Sequence, residues 1–130
     1  MKIMENLEEK YALVLEELKG LEFVRAIIIF GSYAKGRVKP LSDLDVCVIT
    51  YSNYSREEIE EVYSYGNKEL DIVLFDDLPL PHQYEVMEWG KIFYQENDLT
   101  RLKIYTRNQW IDFRPRLRRI YKKRGYPVDI

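Results

Sequence analysis

The chain has 130 residues, of which 46% are hydrophobic, and its formal net charge is −2. This length fits a single domain with a core of its own, and this composition excludes a disordered chain. The single cysteine, Cys47, excludes a disulfide framework, and with only one histidine, His82, the sequence disfavours a zinc site.

The first half of the chain predicts a helix followed by two strands that flank a loop. Apolar residues at mostly helical spacing indicate a helix over Glu5–Leu18. Five consecutive apolar residues, 26–30, predict that a strand over Phe23–Phe30 is buried on both faces. A loop over Gly31–Leu41 then leads into a second strand, Asp43–Thr50.

The second half of the chain predicts strands and helices in alternation. A capping box, with Ser55 as the N-cap and Glu58 three residues later, begins a helix over Ser55–Tyr65. The elements predicted after it are, in chain order, a strand over Glu69–Phe75, a short helix over Leu80–Trp89, a strand over Lys91–Gln95, and helices over Leu99–Tyr105 and Trp110–Lys123. Pro115 is expected to kink or break the last helix. Together these elements predict an α/β (α+β) fold, in which helices pack against a small mixed sheet of about four strands.

A loop with small and basic residues follows the first predicted strand. It begins with Gly31 and Ser32, and it also contains Lys35 and Arg37. Glycine lets a backbone approach a phosphate group and adopt a positive φ, while loop amides and a serine hydroxyl can donate hydrogen bonds to phosphate oxygens. Either basic residue could neutralise phosphate charge, although loop bases are commonly just solvated. A Gly-Ser pair alone is typical of an ordinary polar turn, but its place between a buried strand and a strand with two carboxylates suggests a phosphate-binding loop.

Three aspartates complete the pattern. Ten residues separate Ser32 from Asp43, and Asp45, two positions further along the same strand, projects from the same face. Two adjacent carboxylates repel each other unless a cation lies between them, and Mg²⁺ takes such oxygen ligands together with substrate phosphates. The third candidate is Asp71 in the predicted strand 69–75, where Glu69 shares its face and is the alternative.

This spacing resembles the nucleotidyltransferase superfamily of the DNA polymerase β type, whose signature is GS, about ten residues, DxD and a third acid on a later strand. The short chain and the residues around Gly31–Val46 resemble the minimal nucleotidyltransferases (MNT), which are the antitoxin partners of HEPN-domain toxins. The resemblance covers roughly residues 20–95 of a single domain, 1–130, and implies the polymerase β-like palm fold. A helical C-terminal tail, about 97–125, is compatible with this resemblance but carries no motif of the family.

The resemblance also implies a reaction and its residues. Gly31 and Ser32 would hold the triphosphate of ATP, and Asp43 and Asp45 would bind Mg²⁺ against it. A second Mg²⁺, bound with the help of Asp71, would activate an acceptor hydroxyl. In the similar antitoxins this hydroxyl belongs to a tyrosine of the HEPN toxin, whose RNase activity is silenced when AMP is transferred to it.

Charge is divided unevenly along the chain. Twelve acidic residues accompany three basic residues between Ser55 and Thr100, whereas ten basic residues accompany one acidic residue between Arg101 and Tyr126. This asymmetry indicates an acidic partner, a nucleic acid or pairing within the chain, and a solvated helix face is an equally good explanation. The basic tail and exposed aromatics such as Trp110 and Phe113 would contact the HEPN toxin, unless these aromatics belong to the core.

Two other functions remain open at this point. The chain could be a non-catalytic antitoxin that neutralises by binding alone, or a transferase that acts on a small molecule or an RNA end. Binding to nucleic acid is disfavoured, because the tyrosine-rich segment 51–65 is separate from the basic tail. Single-stranded nucleic acid is bound by aromatic and basic residues that alternate within one surface.

The sequence also bears on location. No apolar run approaches the roughly 20 residues that span a bilayer, so no membrane contact is predicted. The first residues, Met1–Glu9, are charged and lack the apolar centre of a signal peptide. We therefore expect a cytoplasmic protein.

Overall fold

The computed structural model describes residues 9–31, 44–52 and 54–129. Its elements are, in chain order, α1 (Glu9–Lys19), β1 (Val24–Phe30), β2 (Leu44–Thr50), α2 (Arg56–Ser64), β3 (Leu70–Leu74), a 3-10 helix (Phe75–Asp77), α3 (Leu80–Trp89), β4 (Lys91–Gln95) and α4 (Thr100–Arg124). The predicted α/β fold class is confirmed. Apart from α4, the bounds agree with the predicted ones to within one residue wherever the described ranges allow a comparison.

One continuous helix occupies the end of the chain, so the prediction of two helices is wrong. α4 runs for 25 residues, through the stretch 106–109 that lay outside both predicted helices and through Pro115. The stretch is helical because Thr106 and Trp110, one turn apart, are both buried against the body. Pro115 does not break the helix, because it removes only one backbone donor and the turns before and after it keep their hydrogen bonds. No helix in the described ranges is long and apolar enough to cross a membrane.

The four strands form one mixed sheet in the order β3-β2-β1-β4. β1 pairs antiparallel with both β2 and β4, while β2 pairs parallel with β3. The C-terminal end of β1 therefore lies at the same edge of the sheet as the N-terminal ends of the other three strands. This edge, which we call the site edge, brings together residues that are far apart in the sequence.

Helices cover both faces of the sheet, so the core has two parts. The first part packs under α1 and α2, and its buried residues include Leu15, Leu18, Ile27, Ile29, Leu44, Val46, Val48, Val62, Leu70 and Ile72. The second part packs under α3 and the start of α4, and its buried residues are Ala26, Ile28, Cys47, Ile49, Phe75, Val86, Met87 and Leu99. Cys47 is a small core residue, as predicted, and its burial raises the pKa of its thiol.

Local hydrogen bonds fix where helices begin. The predicted capping box is present, because the Glu58 amide donates to Ser55 Oγ (3.1 Å) and the Ser55 amide donates to the Glu58 carboxylate (2.7 Å). At the start of α4, the amide and the hydroxyl of Thr100 both donate to Oδ1 of Asp98, at 2.9 and 2.6 Å. These two bonds lower the pKa of the Asp98 carboxyl.

We expect the substitution Asp98→Ala to destabilise the protein at neutral pH, because the first turn of α4 loses an acceptor. A lowered folded pKa means that the stabilisation is fully present above the ordinary carboxyl pKa of about 3.9, and is lost as the pH falls through the folded value. Thermal unfolding followed by circular dichroism should thus give a difference in Tm between wild type and variant that shrinks below about pH 4.

Asp112→Ala is the matched control for this prediction. Asp112 is exposed on the same helix, and the part of the chain that the structure describes gives it no hydrogen bond or ion pair. Its replacement should leave the Tm nearly unchanged. A loss of stability for Asp98→Ala that stays constant down to pH 3 would contradict the assignment of the stabilisation to the charged carboxylate.

Candidate active site

Two aspartates lie side by side at the site edge. Asp45 of β2 is opposite Asp71 of β3 in the parallel register, and neighbouring strands are about 4.8 Å apart. The preceding pair, Leu44 opposite Leu70, is buried under α1 and α2. Because side chains alternate along a strand, both carboxylates project from the other face of the sheet. Asp45 is half-buried there and Asp71 is exposed.

Gly31 directly follows β1 and lies against one of these carboxylates. Its φ is 75°, a left-handed conformation that residues with a side chain rarely adopt. A Cβ added at Gly31 would lie 2.4 Å from Oδ2 of Asp45, closer than real Cβ contacts come. Asp45 is also opposite Phe30, the residue before Gly31, in the antiparallel register of β1 and β2. The chain therefore needs glycine here both for its backbone and for the space that the carboxylate occupies.

Four of the predicted site residues lie outside the described residues. They are Ser32, Lys35, Arg37 and Asp43. Gly31, Asp45 and Asp71 lie within the described ranges, and the structure brings these three together at the site edge. The alternation predicted for β2 is also present, since Asp45 shares its face with Cys47 while Leu44 takes the other.

Other acidic residues near β3 are held elsewhere. Glu69 precedes the strand and forms an ion pair with Lys10 of α1. The parallel register places Asp71, and not Glu69, opposite Asp45. Asp76 and Asp77 form the 3-10 turn at the opposite end of β3, where they accept hydrogen bonds from the hydroxyls of Tyr54 (3.0 Å) and Tyr63 (2.6 Å), respectively.

The donor set of the site edge fits a hard divalent cation. Asp45 and Asp71 supply carboxylate oxygens, the ligands that Mg²⁺ prefers, from two neighbouring strands. Within residues 9–31, 44–52 and 54–129 there is no cluster of three or more histidine, cysteine, aspartate or glutamate residues. The third predicted ligand, Asp43, is outside these ranges, so the described part of the site consists of two carboxylates.

The exposed aromatic residues differ from those named in the sequence analysis. Trp110 is buried and stacks on Tyr84, with ring centroids 5.7 Å apart, so its prediction as an exposed contact is wrong and its alternative as a core residue is confirmed. Phe113 is half-buried beside it, with centroids 6.5 Å apart. Trp89, at the end of α3, is 63% exposed and was missed. The one feature of the sequence that could have indicated the exposure of Trp89 is its position at a helix end, before Gly90 and the fourth strand.

The mixed sheet with Gly31, Asp45 and Asp71 at one edge has the form of a nucleotidyltransferase. Residues 13–99, which include all three, match the family described as polymerase beta nucleotidyltransferase. The chain therefore belongs to the polymerase β-type nucleotidyltransferase family, and the resemblance inferred from the sequence is confirmed.

Comparison with known proteins gives relatives in sequence and in structure. A protein of Methanocaldococcus jannaschii, provisionally named a protein adenylyltransferase, is 34% identical over 96 residues, which are 73% of this chain and 76% of the relative. A chain from a toxin–antitoxin crystal structure with AMP-PNP superposes with a TM-score of 0.68 at 16% identity, over 89% of this chain and 98% of that chain. A chain from the tri-AMPylated Shewanella oneidensis HEPN toxin in complex with MNT antitoxin gives 0.60 at 17%, over 88% and 92%. These structures confirm the fold.

We expect Gly31→Ala to impair nucleotide binding far more than it impairs folding. The new Cβ would displace the Asp45 carboxylate, and the positive φ adds a backbone strain of about 1 kcal/mol. Isothermal titration with ATP and Mg²⁺ should show affinity weakened at least about tenfold, while thermal unfolding should show only a modest fall in Tm.

Gly125→Ala separates these two effects. Gly125 ends α4 with a nearly identical φ of 76°, but a Cβ there would meet nothing within 4 Å. Its replacement should cost similar backbone strain and leave nucleotide binding intact. Equal binding by the two variants would show that contact between Gly31 and Asp45 is irrelevant to the nucleotide.

Proposed function

We propose that this chain is a Mg²⁺-dependent adenylyltransferase that moves AMP from ATP to a tyrosine hydroxyl of a HEPN RNase toxin, and so acts as the antitoxin of a toxin–antitoxin pair in the cytoplasm. The observation that carries the proposal is the position of Asp45 opposite Asp71 and against Gly31. Support comes from the relative named as a protein adenylyltransferase and from the similar folds in complexes that contain AMP-PNP or an AMPylated HEPN toxin.

Each residue of the site edge suits one part of this reaction. The backbone at Gly31, with Ser32 after it, would bind the triphosphate. Asp71, which is exposed on the outermost strand of the sheet, would accept the proton of the acceptor hydroxyl. As the hydroxyl oxygen forms its bond to the α-phosphorus, the bond from that phosphorus to the bridging oxygen breaks and pyrophosphate leaves.

The same residues fit the ions that this chemistry uses. Asp43, Asp45 and Asp71 would hold two Mg²⁺ ions, since carboxylates are the usual protein ligands of this cation. Bound there, Mg²⁺ would neutralise triphosphate charge and activate the acceptor oxygen. Lys35 and Arg37 would add positive charge on the loop side of the phosphates.

We expect Asp45→Asn and Asp71→Asn each to lower AMP transfer by about 100-fold or more, because the first removes a metal ligand and the second also removes the base. The assay is incubation with α-labelled ATP and Mg²⁺, with and without the HEPN protein. Omitting Mg²⁺ or adding a chelator should abolish the transfer.

Glu69→Gln is the control for the catalytic variants, because Glu69 is two positions from Asp71 but pairs with Lys10. Its activity should stay close to that of the wild type. If the wild type leaves the partner unlabelled yet silences it, the chain is a binding module. Label on an RNA end or a small molecule, and never on a protein, would replace the proposed acceptor.

The basic half of α4 is the surface that we propose for the partner protein. Trp110 is the last buried residue of the helix, and no later residue up to 129 is buried. Arg107 pairs with Glu88 of α3 at 2.7 Å. The bases beyond it, which make no ion pair with the described residues, are Arg114, Arg116, Arg118, Arg119, Lys122, Lys123 and Arg124. Within the described ranges, pairing with the acidic middle of the chain therefore does not account for these seven charges.

Apolar side chains run along the same part of α4. Phe113, Leu117 and Ile120 continue the buried face of the helix beyond Trp110, at spacings of three and four residues, and they are half-buried or exposed. An apolar stripe flanked by seven cationic side chains suits an acidic partner with an apolar groove, since complementary charge steers association and fixes register.

We expect Arg118→Glu together with Lys122→Glu to weaken partner binding at least about tenfold, because two cations become anions against an acidic surface. Surface plasmon resonance at two salt concentrations should show slower association and a reduced salt dependence, with ATP affinity unchanged. Arg101→Glu, on the first turn of the same helix, is the matched control. Equal effects of both changes would remove this surface from the proposal.

A further inference from the structure

Trp89 is an exposed tryptophan beside the site edge. The chain has two tryptophans, and the other, Trp110, is packed against Tyr84. Trp89 is 63% exposed although it lies at the end of a helix that is otherwise packed on the sheet. A large aromatic ring in this position offers a flat apolar face to a ligand.

Gly90 places this tryptophan at the end of the sheet where the site edge lies. A Cβ added at Gly90 would lie 2.4 Å from Cγ2 of Ile28, so the end of α3 rests directly on β1. Ile28 and Phe30 are successive residues on the same face of β1, about 7 Å apart along the strand, and Phe30 is opposite Asp45. Lys91, two positions after Trp89, is opposite Ile29 at the start of β4, so Trp89 lies near the site edge, and β1 separates it from Asp45 on β2.

The direction of Trp89 follows from the contacts of α3. Tyr84 stacks on Trp110 of α4, and Glu88 binds Arg107 of α4, so these two residues mark the side of α3 that faces α4. At 100° per residue, Trp89 is about 140° from Tyr84 and about 100° from Glu88 around the helix, and it flanks Val86, which is buried on the sheet. The ring thus leaves α3 away from α4, beside the covered face of the sheet.

We propose that Trp89 is the stacking platform for the purine base of the nucleotide, an inference that rests on the proposed function. A nucleoside triphosphate bound at Gly31 and Asp45 has its base one ribose away from the α-phosphate. Trp89 presents a ring near the site edge and on the face of the sheet that carries Asp45, whereas the cationic surface of α4 lies on another side of α3. Stacking uses the π-face that every base has, so it favours large bases without reading their edges.

If Trp89 stacks on the base, the protein should distinguish nucleotides by the size of the base. ATP and GTP should bind with similar affinity, because both purines stack well, and CTP and UTP should bind more weakly. Inorganic triphosphate, which has no base, should bind independently of residue 89. Loss of the ring should weaken binding of the base and leave the affinity for the phosphate groups unchanged.

The test uses calorimetric titration of the full chain with Mg²⁺ and each ligand. Trp89→Ala should weaken ATP binding by about tenfold, Trp89→Phe should retain most of the affinity, and neither should change the binding of inorganic triphosphate. Tyr105→Ala is the control, because Tyr105 is 61% exposed on α4. In a Trp110→Phe background, ATP but not inorganic triphosphate should quench the fluorescence of Trp89.

The outcomes distinguish this inference from the proposed function. A wild-type chain that binds neither ATP nor inorganic triphosphate would overturn the proposed function and this inference with it. Unchanged ATP affinity in Trp89→Ala, with wild-type binding intact, would overturn the platform alone. If that variant also lost affinity for the partner protein, Trp89 would be a protein contact and not a base platform.

Discussion

The parallel pairing of β2 with β3 is the constraint on which the site depends. It sets Asp45 opposite Asp71, although 25 positions of sequence separate the two residues. The antiparallel pairing of β1 with β2 then brings the end of β1, and with it Gly31, against the Asp45 carboxylate. A shift of one residue in the β2–β3 register would turn one carboxylate toward α1 and α2, where an unpaired charge is costly. The buried side chains next to the aspartates therefore maintain the geometry of the site.

Much of this arrangement could be predicted from the sequence because its signals are local. The continuous apolar run 26–30, the capping box at Ser55 and the proline-rich start of α3 each specify an element within a few residues. The choice of Asp71 over Glu69 depends on register, which periodicity alone does not supply. It follows here from the parallel pairing, in which Leu44 is opposite Leu70 and the next pair is Asp45 with Asp71.

Other features were missed because they arise from packing between distant segments. α4 is continuous because Thr106 and Trp110 are buried against the body, whereas the polar stretch 106–109 and Pro115 suggest interruption when read locally. Trp110 is buried by its stack on Tyr84, whereas Trp89, for which the sequence predicted no contact, is exposed at the end of α3. Tyr84 is far from Trp110 in the sequence, so no local signal reveals this stack.

The position of β3 at the border of the sheet has a consequence for the size of the acceptor. In the sheet that the described residues form, β2 flanks β3 on one side and no strand flanks it on the other, so Asp71 is open to solvent. A carboxylate on a central strand would have a neighbouring strand on each side, whose side chains restrict the approach to it. A carboxylate on the border can be approached by a side chain that is still attached to a folded protein. Under the proposed function, the strand order thus removes a steric limit on the acceptor and leaves its selection to surfaces outside the sheet.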